Sequence, residues 1–224
     1  MNKEVRSVSG FLKKYGKNYD YDKYERIVAY FYGESCRESI EIQQIKYAIG
    51  DLEPNVYEIV VNTLESIFDI ECNILDIASG CYPAFAYEIA KRQLELGYGK
   101  ITCFEPNLVC DEPLYQNVSF EKQFFNSKID LSQYDLITSF LPCYATKEVV
   151  KAAIMQQKPF FILPCSCHFI PKQENGYDYL KINNMFDYAY YLMHKYSKQC
   201  GIEKIDRELI NTSALSQKMY LYRK

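Results

Sequence analysis

Two acidic residues stand at the ends of short apolar runs in this sequence. Asp76 lies in the run ILDI, and Glu105 follows the run KITCF, 25 residues after Gly80. Between Asp76 and Gly80 come Ala78 and Ser79, small residues that let the backbone of a tight turn approach a ligand. An acidic residue at the end of the next strand accepts hydrogen bonds from both hydroxyls of a ribose. The pattern therefore predicts a nucleotide site at the carboxyl ends of the strands.

A second group of reactive residues accompanies two later apolar runs. YDLITSFL carries Ser139 near its end and is followed by Cys143, while KPFFILPC ends in Cys165 and is followed by Cys167 and His168. The carboxyl ends of neighbouring parallel strands meet at one edge of a sheet. We therefore expect this group to lie over the same crevice as the acidic residues.

Three interpretations of the second group remain open. In the first, His168 or a cysteine binds or deprotonates a substrate, since imidazole titrates near neutral pH. In the second, the three cysteines and the histidine bind zinc, although Cys-x-Cys is tighter than the usual zinc spacing. In the third, the cysteines are small packing residues beneath a loop.

The elements around these residues predict an α/β fold. The first 70 residues have helical periodicity and are expected to form an N-terminal helical cap. From residue 72, apolar runs alternate with helical stretches, which favours a mostly parallel sheet with right-handed crossovers. Helices are predicted over Ala84–Leu96 and Thr146–Gln156, and a long one over Tyr177–Cys200. The chain thus divides into a cap, 1–70, and an α/β domain, 71–224.

The stretch from Ile74 to Glu105 resembles the S-adenosylmethionine site of class I methyltransferases. In that superfamily the first strand and loop read roughly Asp/Glu-x-Gly-x-Gly-x-Gly. The resemblance covers about residues 70–224 by element order, and it implies a Rossmann-like sheet with S-adenosylmethionine as cofactor. This sequence departs from the pattern because Ala78 replaces the first glycine, and Cys81, Tyr82 and Pro83 follow Gly80.

The resemblance also implies roles for individual residues. Asp76 and the backbone of 78–80 would surround the methionine moiety, Glu105 would hold the ribose, and Phe104 and Pro106 would flank the adenine. The predicted cofactor-binding residues are Asp76, Ala78, Ser79, Gly80, Glu105, Pro106, Asn126 and Ser139. The predicted catalytic residues are His168, Cys165 and Cys143.

The methyl acceptor is less defined by the sequence. The block Leu141–His168 is similar to a subset of class I methyltransferase-like proteins in which strand five ends in Pro-Cys-Cys or Cys-Cys-His. Some tRNA 2′-O-methyltransferases carry a related Cys-Cys-His-His element. Here Ser166 displaces the second cysteine and a single histidine follows. The likeness favours RNA slightly over a small molecule. No Asn/Asp-Pro-Pro-Tyr follows strand four, which argues against methylation of an exocyclic amine of DNA or RNA.

Composition and charge limit the other possibilities. The net charge is −3, and residues 27–194 are acidic between two basic ends. No apolar run approaches the roughly 20 residues of a membrane helix, and the N-terminus is too polar for a signal peptide. The nine cysteines are an odd number without an export signal, so we expect reduced thiols in a cytoplasmic protein. Two alternatives to an enzyme remain, a non-catalytic binding module and a metal or redox protein using the strand-end cysteines.

Overall fold

The structure is a computed structural model that describes residues 56–80, 83–108, 112–164, 182, 184–202, 205–211 and 216–222. Of the predicted helical cap, it describes residues 56–70, which include helix α1, Val56–Ile67. Residues 1–55 lie outside the described part, so the division into a cap and an α/β domain stays a prediction.

Seven strands form one sheet in the order β3-β2-β1-β4-β5-β7-β6. The first five pair in parallel, and β7 is antiparallel to both β5 and β6. The strands are β1 Asn73–Ile77, β2 Lys100–Phe104, β3 Val118–Glu121, β4 Leu136–Phe140, β5 Phe160–Leu163, β6 Asp206–Asn211 and β7 Ser216–Tyr222. The prediction of an α/β fold with a Rossmann-like sheet is confirmed.

Helices cover both faces of the central strands. These are α1, then α2 Ala84–Leu96, α3 Thr146–Met155 and α4 Met185–Cys200, with a short 3₁₀ turn over Cys143–Ala145. Every residue of β4 and β5 is buried, as expected for parallel strands that are packed on both sides. One face packs with α1 and α2 around Ile74 and Phe161, and the other packs with α3 and α4 around Leu75 and Ile162.

Local signals explain where these helices begin and end. Pro83 precedes α2, and Gly97 closes it in the left-handed conformation with its N–H donating to the Gln93 carbonyl oxygen. The long helix α4 begins at Met185, although the sequence pattern predicts a start at Tyr177. The reason is Asn184, whose backbone is extended and whose side chain caps the helix by accepting from the Asp187 N–H at 3.0 Å. An N-cap of this kind ends helical geometry on its N-terminal side.

The order of the strands reverses at β1. The chain runs outward from β1 to β2 and β3, then returns to place β4 on the opposite side of β1. In open α/β sheets, the crevice at such a reversal, beyond the carboxyl ends of the strands, is where ligands bind. The residues that follow β1, β2 and β4 are therefore the ones placed to form a site.

Candidate functional site

Asp76, at the carboxyl end of β1, is the most buried charged group in this region. Its side chain is fully buried, and Oδ1 accepts a 2.8 Å hydrogen bond from the Thr138 hydroxyl on β4. The other oxygen, Oδ2, is buried and has no hydrogen-bond partner within the part of the chain that the structure describes. A buried polar atom without a partner is costly and marks a position where a ligand could supply the missing donor.

The protonation of Asp76 follows from this environment. Burial raises the pKa of its carboxyl to about 7, the neighbouring hydroxyls of Thr138 and Ser79 lower it, and the nearby charge of Glu105 raises it further. Loss of hydration disfavours the carboxylate more than these polar neighbours favour it. Near neutral pH, Asp76 is therefore poised between its neutral and charged forms.

The turn after β1 has the conformation that glycine-rich loops adopt. Ala78 has a φ of 59° and Gly80 one of 81°, both in the region that L-residues other than glycine rarely occupy. The Ala78 N–H donates to the Phe104 carbonyl oxygen at 2.9 Å, and the Ser79 hydroxyl donates to the Asp76 carbonyl oxygen at 3.1 Å. The alanine that replaces the expected glycine thus has a positive φ, which glycine adopts without a steric cost.

Glu105 lies directly after β2, beside Asp76 on the neighbouring strand. It is 9% exposed, and its Oε1 accepts from the Asn107 N–H at 3.0 Å. Its own N–H donates to the Glu121 carbonyl oxygen at 3.2 Å, which extends the pairing of β2 with β3. The backbone therefore fixes this carboxylate at the strand end.

The remaining predicted residues lie in different settings. Ser139 is buried and donates a 2.6 Å hydrogen bond to the Ile77 carbonyl oxygen, so its hydroxyl ties β4 to β1. Pro106 follows Glu105 and is half-buried. Asn126 is exposed on the loop after β3, and its side chain accepts from the Lys128 N–H at 3.1 Å. The cofactor roles of these three residues stay predictions.

The predicted catalytic group is described only in part. Cys143 is half-buried and begins the 3₁₀ turn after β4, with a φ of 42°. Cys165, Cys167 and His168 lie outside the described residues. Among the residues that are described, no three His, Cys, Asp or Glu side chains are grouped so that they could hold a metal ion. That observation leaves the three interpretations of the cysteine group untested.

Sequence reasoning missed two features of the site. One is Thr138, which the structure pairs in register with Asp76 across β1 and β4. Its signal was a hydroxyl side chain in a largely apolar strand, next to Ser139. The other is the loop after β4, where Leu141 and Cys143 both have positive φ, and for which the residue types gave no signal.

A cavity of about 470 Å³ lies at the opposite edge of the sheet. It is formed at the amino ends of the first strands by residues that include Asn73, Lys100 and Asn117. None of the predicted site residues that the structure describes lines it. It is therefore separate from the crevice at the strand carboxyl ends.

No helix in the described ranges is both long and apolar enough to cross a membrane.

Comparison with known proteins finds similarity in structure alone. No protein-family model matches the chain, and no curated protein matches it in sequence. The solved structures that it resembles include an S-adenosylmethionine-dependent methyltransferase from Aquifex aeolicus. The two sequences are 12% identical, the TM-score is 0.47, and the match covers 80% of this chain and 97% of the Aquifex chain. Magnesium protoporphyrin IX methyltransferase from Synechocystis, with bound S-adenosylhomocysteine, shows 8% identity, TM-score 0.48, and coverage of 97% and 100%.

A third similar structure is human N-acetylserotonin methyltransferase in complex with S-adenosylmethionine. It shows 12% identity and a TM-score of 0.47, with 95% of this chain and 69% of the human chain covered. A shared fold at such low identity does not carry function with it. The function of this chain has to follow from its own residues.

Proposed function

We propose that this protein is a methyltransferase that uses S-adenosylmethionine. The observation that carries the proposal is the buried Asp76 carboxyl, with one oxygen unpartnered within the described chain, beside Glu105 at the strand-order reversal. Asp76 lies near the carboxyl end of β1 and Glu105 directly follows the adjacent parallel strand β2, and a left-handed turn at Ala78 begins beside them. Carboxyl groups on neighbouring strand ends suit a ligand with a cationic part and a ribose.

The residues of the crevice fit this cofactor. Its methionine part carries an ammonium group, a donor of the kind that Asp76 Oδ2 lacks. Its ribose offers two hydroxyl donors, which an acidic residue at the end of the second strand accepts. The turn at 78–80 carries only small side chains, so the backbone can come close to a bound molecule. The chemistry of the available acceptors therefore matches the donors of the cofactor.

The contribution of the chain is binding and alignment. S-adenosylmethionine, when bound, supplies an activated methyl group for transfer. Asp76 binds cationic donors most strongly as a carboxylate, and a cation beside it favours that charged form. Glu105, held by its backbone and by the Asn107 N–H, orients the ribose. Holding two reactants in line supplies a large part of a methyl-transfer rate, which is why few dedicated catalytic side chains are needed.

The methyl acceptor binds on the side of β4 and β5 in this proposal. The loop that contains Cys143 follows β4, and the predicted catalytic residues Cys165 and His168 follow β5 in the sequence. A base among them would remove the proton of an acceptor hydroxyl or amine. RNA and a small molecule both remain candidates at this level.

Calorimetric titration with S-adenosylmethionine and with S-adenosylhomocysteine tests the proposal. We expect saturable binding of both to the unmodified chain. Glu105→Ala should weaken both by about 10- to 100-fold, because hydrogen bonds to a charged carboxylate contribute roughly 1.5–3 kcal/mol. Glu95→Ala is the matched control, since Glu95 is an exposed glutamate on α2 and should leave both affinities unchanged.

Two results would count against the proposal. Absence of binding of either compound to the unmodified chain would favour the non-catalytic alternative. Equal affinity in Glu105→Ala and in the unmodified chain would mean that Glu105 does not hold the ribose. Retained folding of each variant is checked by circular dichroism before titration.

A further inference from the structure

One hydroxyl group from the neighbouring strand supports the carboxyl of Asp76. Thr138 lies opposite Asp76 in the register of β1 and β4, and its hydroxyl donates to Asp76 Oδ1 at 2.8 Å. Both side chains are fully buried, so the bond lies away from bulk solvent. A hydrogen bond to an ionised group is stronger than one to a neutral group. The Thr138 hydroxyl therefore favours the carboxylate form of Asp76 over the protonated form.

The second oxygen of this carboxyl has no comparable support. Asp76 Oδ2 is buried and has no hydrogen-bond partner in the described part of the chain. A carboxylate that is removed from water needs an opposite charge or several donors to stay ionised. Burial accordingly raises the pKa of Asp76 to about 7. The free protein thus keeps a proton on this carboxyl up to about neutral pH.

The strands beside Asp76 supply two ionisable groups. Cys103 on β2 lies opposite Asp76 in the register, and burial raises the pKa of its thiol well above the usual value, so the thiol stays uncharged. Glu105 follows β2, and its charge opposes ionisation of Asp76. On the other side, β4 carries no ionisable side chain.

The helices α1 and α2 pack on the same face of the sheet. Their buried ionisable side chains are Tyr57, Tyr87 and Glu88. Glu88 is paired with Arg92 at 3.7 Å. Within the described ranges, no cationic side chain forms an ion pair with Asp76. A cation that stabilises the Asp76 carboxylate therefore has to come with a ligand.

We propose that Thr138 is a positioning residue that lets Asp76 exchange its proton for the ammonium group of the cofactor. This inference rests on the proposed function and describes a proton-linked control of the same site. On binding, the O–H bond of Asp76 breaks and its proton leaves to solvent. The ammonium group keeps all its protons and donates a hydrogen bond to Oδ2. Thr138 holds Oδ1 throughout, so Oδ2 is the acceptor that stays available.

This exchange makes cofactor affinity depend on pH in a defined direction. At low pH the ligand competes with a proton, so affinity rises with pH and levels off once Asp76 of the free protein is ionised. Without the Thr138 donor the carboxylate is less stable, so the profile moves to higher pH. A merely structural role of Thr138 would change affinity equally at every pH.

Calorimetric titration with S-adenosylhomocysteine across pH 5.5–8.5 measures this profile. Repeating each titration in buffers with different heats of ionisation counts the protons released. The control ligand is 5′-methylthioadenosine, which has the adenine, ribose and sulfur but no ammonium group. The variants are Thr138→Val, Thr138→Ser and Asp76→Asn. Thr102→Val is the matched control, because the Thr102 hydroxyl on β2 also bonds to the next strand, accepting from Ser119 at 3.1 Å, but Thr102 lines the cavity at the opposite edge.

We expect the unmodified chain to bind S-adenosylhomocysteine about 10-fold more tightly at pH 8 than at pH 6, and to release about one proton per ligand at pH 6. In Thr138→Val the midpoint of the profile should rise by about 1 pH unit, so affinity falls by about 10-fold at pH 6 and by about twofold at pH 8. Thr138→Ser and Thr102→Val should keep the original midpoint. Asp76→Asn should show neither pH dependence nor proton release, and 5′-methylthioadenosine should bind equally across the range.

Three results would overturn the inference. These are binding of S-adenosylhomocysteine to the unmodified chain without proton release at pH 6, parallel profiles for Thr138→Val and the unmodified chain, and an equal shift in Thr102→Val. If Thr138→Val does not fold, Thr138→Ala also removes the donor, and the proton count needs no variant.

The same titrations separate the two proposals. If S-adenosylhomocysteine binds with a profile that is independent of pH, the proposed function stands and the proton exchange falls. If neither S-adenosylhomocysteine nor S-adenosylmethionine binds to the unmodified chain at any pH, both fall.

Discussion

The Thr138 hydroxyl on β4 donates a 2.8 Å hydrogen bond to Oδ1 of Asp76 on β1, and both side chains are fully buried. This bond joins the two strands at the point where the strand order reverses. It supports one oxygen of the carboxyl and leaves Oδ2 without a partner among the described residues. The site therefore contains a carboxyl that is half satisfied by the protein.

Asp76→Asn should change how stability depends on pH. The pKa of Asp76 is about 7 in the folded chain, against about 3.9 for an aspartate in an unfolded chain. Between these values the folded state binds a proton that the unfolded state has lost, so the free energy of unfolding falls as pH rises from about 4 to about 7, by a few kcal/mol. The Asp76→Asn variant has no ionisable carboxyl at this position, so its free energy of unfolding should lack this fall between about pH 4 and about pH 7.

Urea unfolding of both proteins across pH 4.5–8 checks this prediction. The readout is the difference between the two curves of unfolding free energy against pH, in which the contributions of groups distant from Asp76 cancel. Parallel curves would mean that Asp76 ionises with an ordinary pKa.

Thr138→Val should cost stability in a pH-dependent manner. Valine keeps the shape of threonine but removes the donor to Asp76. We expect a loss of about 1–3 kcal/mol, larger above pH 7, where the bond is to a carboxylate. Thr138→Ser retains a hydroxyl and should lose less at high pH. If valine and serine were equivalent at pH 8, the hydrogen bond would not be contributing.

Gly99→Ala should be more destabilising than Gly97→Ala. Both glycines have positive φ, at 126° and 99°, but a Cβ at Gly99 would overlap the Gln93 side chain, whereas nothing lies within 4 Å of one at Gly97. Gln93 is buried, and its amide donates to the carbonyl oxygens of Ile70 and Cys72. Backbone strain alone costs about 1–2 kcal/mol, and displacing a bonded buried amide adds about 1–3 kcal/mol.

Thermal and urea unfolding of the two glycine variants side by side provide the measurement. Equal losses would show that the Gln93 amide moves aside without cost.

Ala78→Gly should stabilise the chain. Ala78 has a φ of 59°, a conformation that costs an L-residue about 1–2 kcal/mol. Glycine removes this strain, but it destabilises the folded state by about 0.5–1 kcal/mol because its unfolded chain has more conformational entropy. The expected gain in unfolding free energy is therefore about 0.5–1 kcal/mol. Ala145→Gly is the control, because Ala145 has a φ of −77° and should lose stability. If both glycine variants had a lower free energy of unfolding than the unmodified chain, Ala78 would not be strained.

Local patterns were sufficient for several elements. Helix α2 has the predicted bounds, Ala84–Leu96, because a proline and a glycine mark its ends in the sequence. The position of Asp76 and Glu105 near strand ends was also readable, since Asp76 lies near the end of one apolar run of strand length and Glu105 directly follows the next. Signals of this kind depend on neighbours within a few residues, which the sequence displays directly.

Two other features could not be read from periodicity. The start of α4 at Met185 follows from the extended backbone and capping side chain of Asn184, a local signal within a stretch whose periodicity alone favoured a longer helix. The positive φ of Leu141 accompanies a hydrogen bond to Leu163 on another strand. That pairing is not visible in residue types, because it depends on a partner that lies far away in the sequence.

By itself, the sequence determined the alternation of strands and helices and the acidic residues near the carboxyl ends of β1 and β2, because periodicity and turn chemistry act over short distances. Only the tertiary structure decided that β4 lies against β1, that Thr138 therefore meets Asp76, and that one carboxyl oxygen is left for a ligand. Burial and pairing between residues 62 positions apart arise when the sheet closes, and they set the protonation of Asp76.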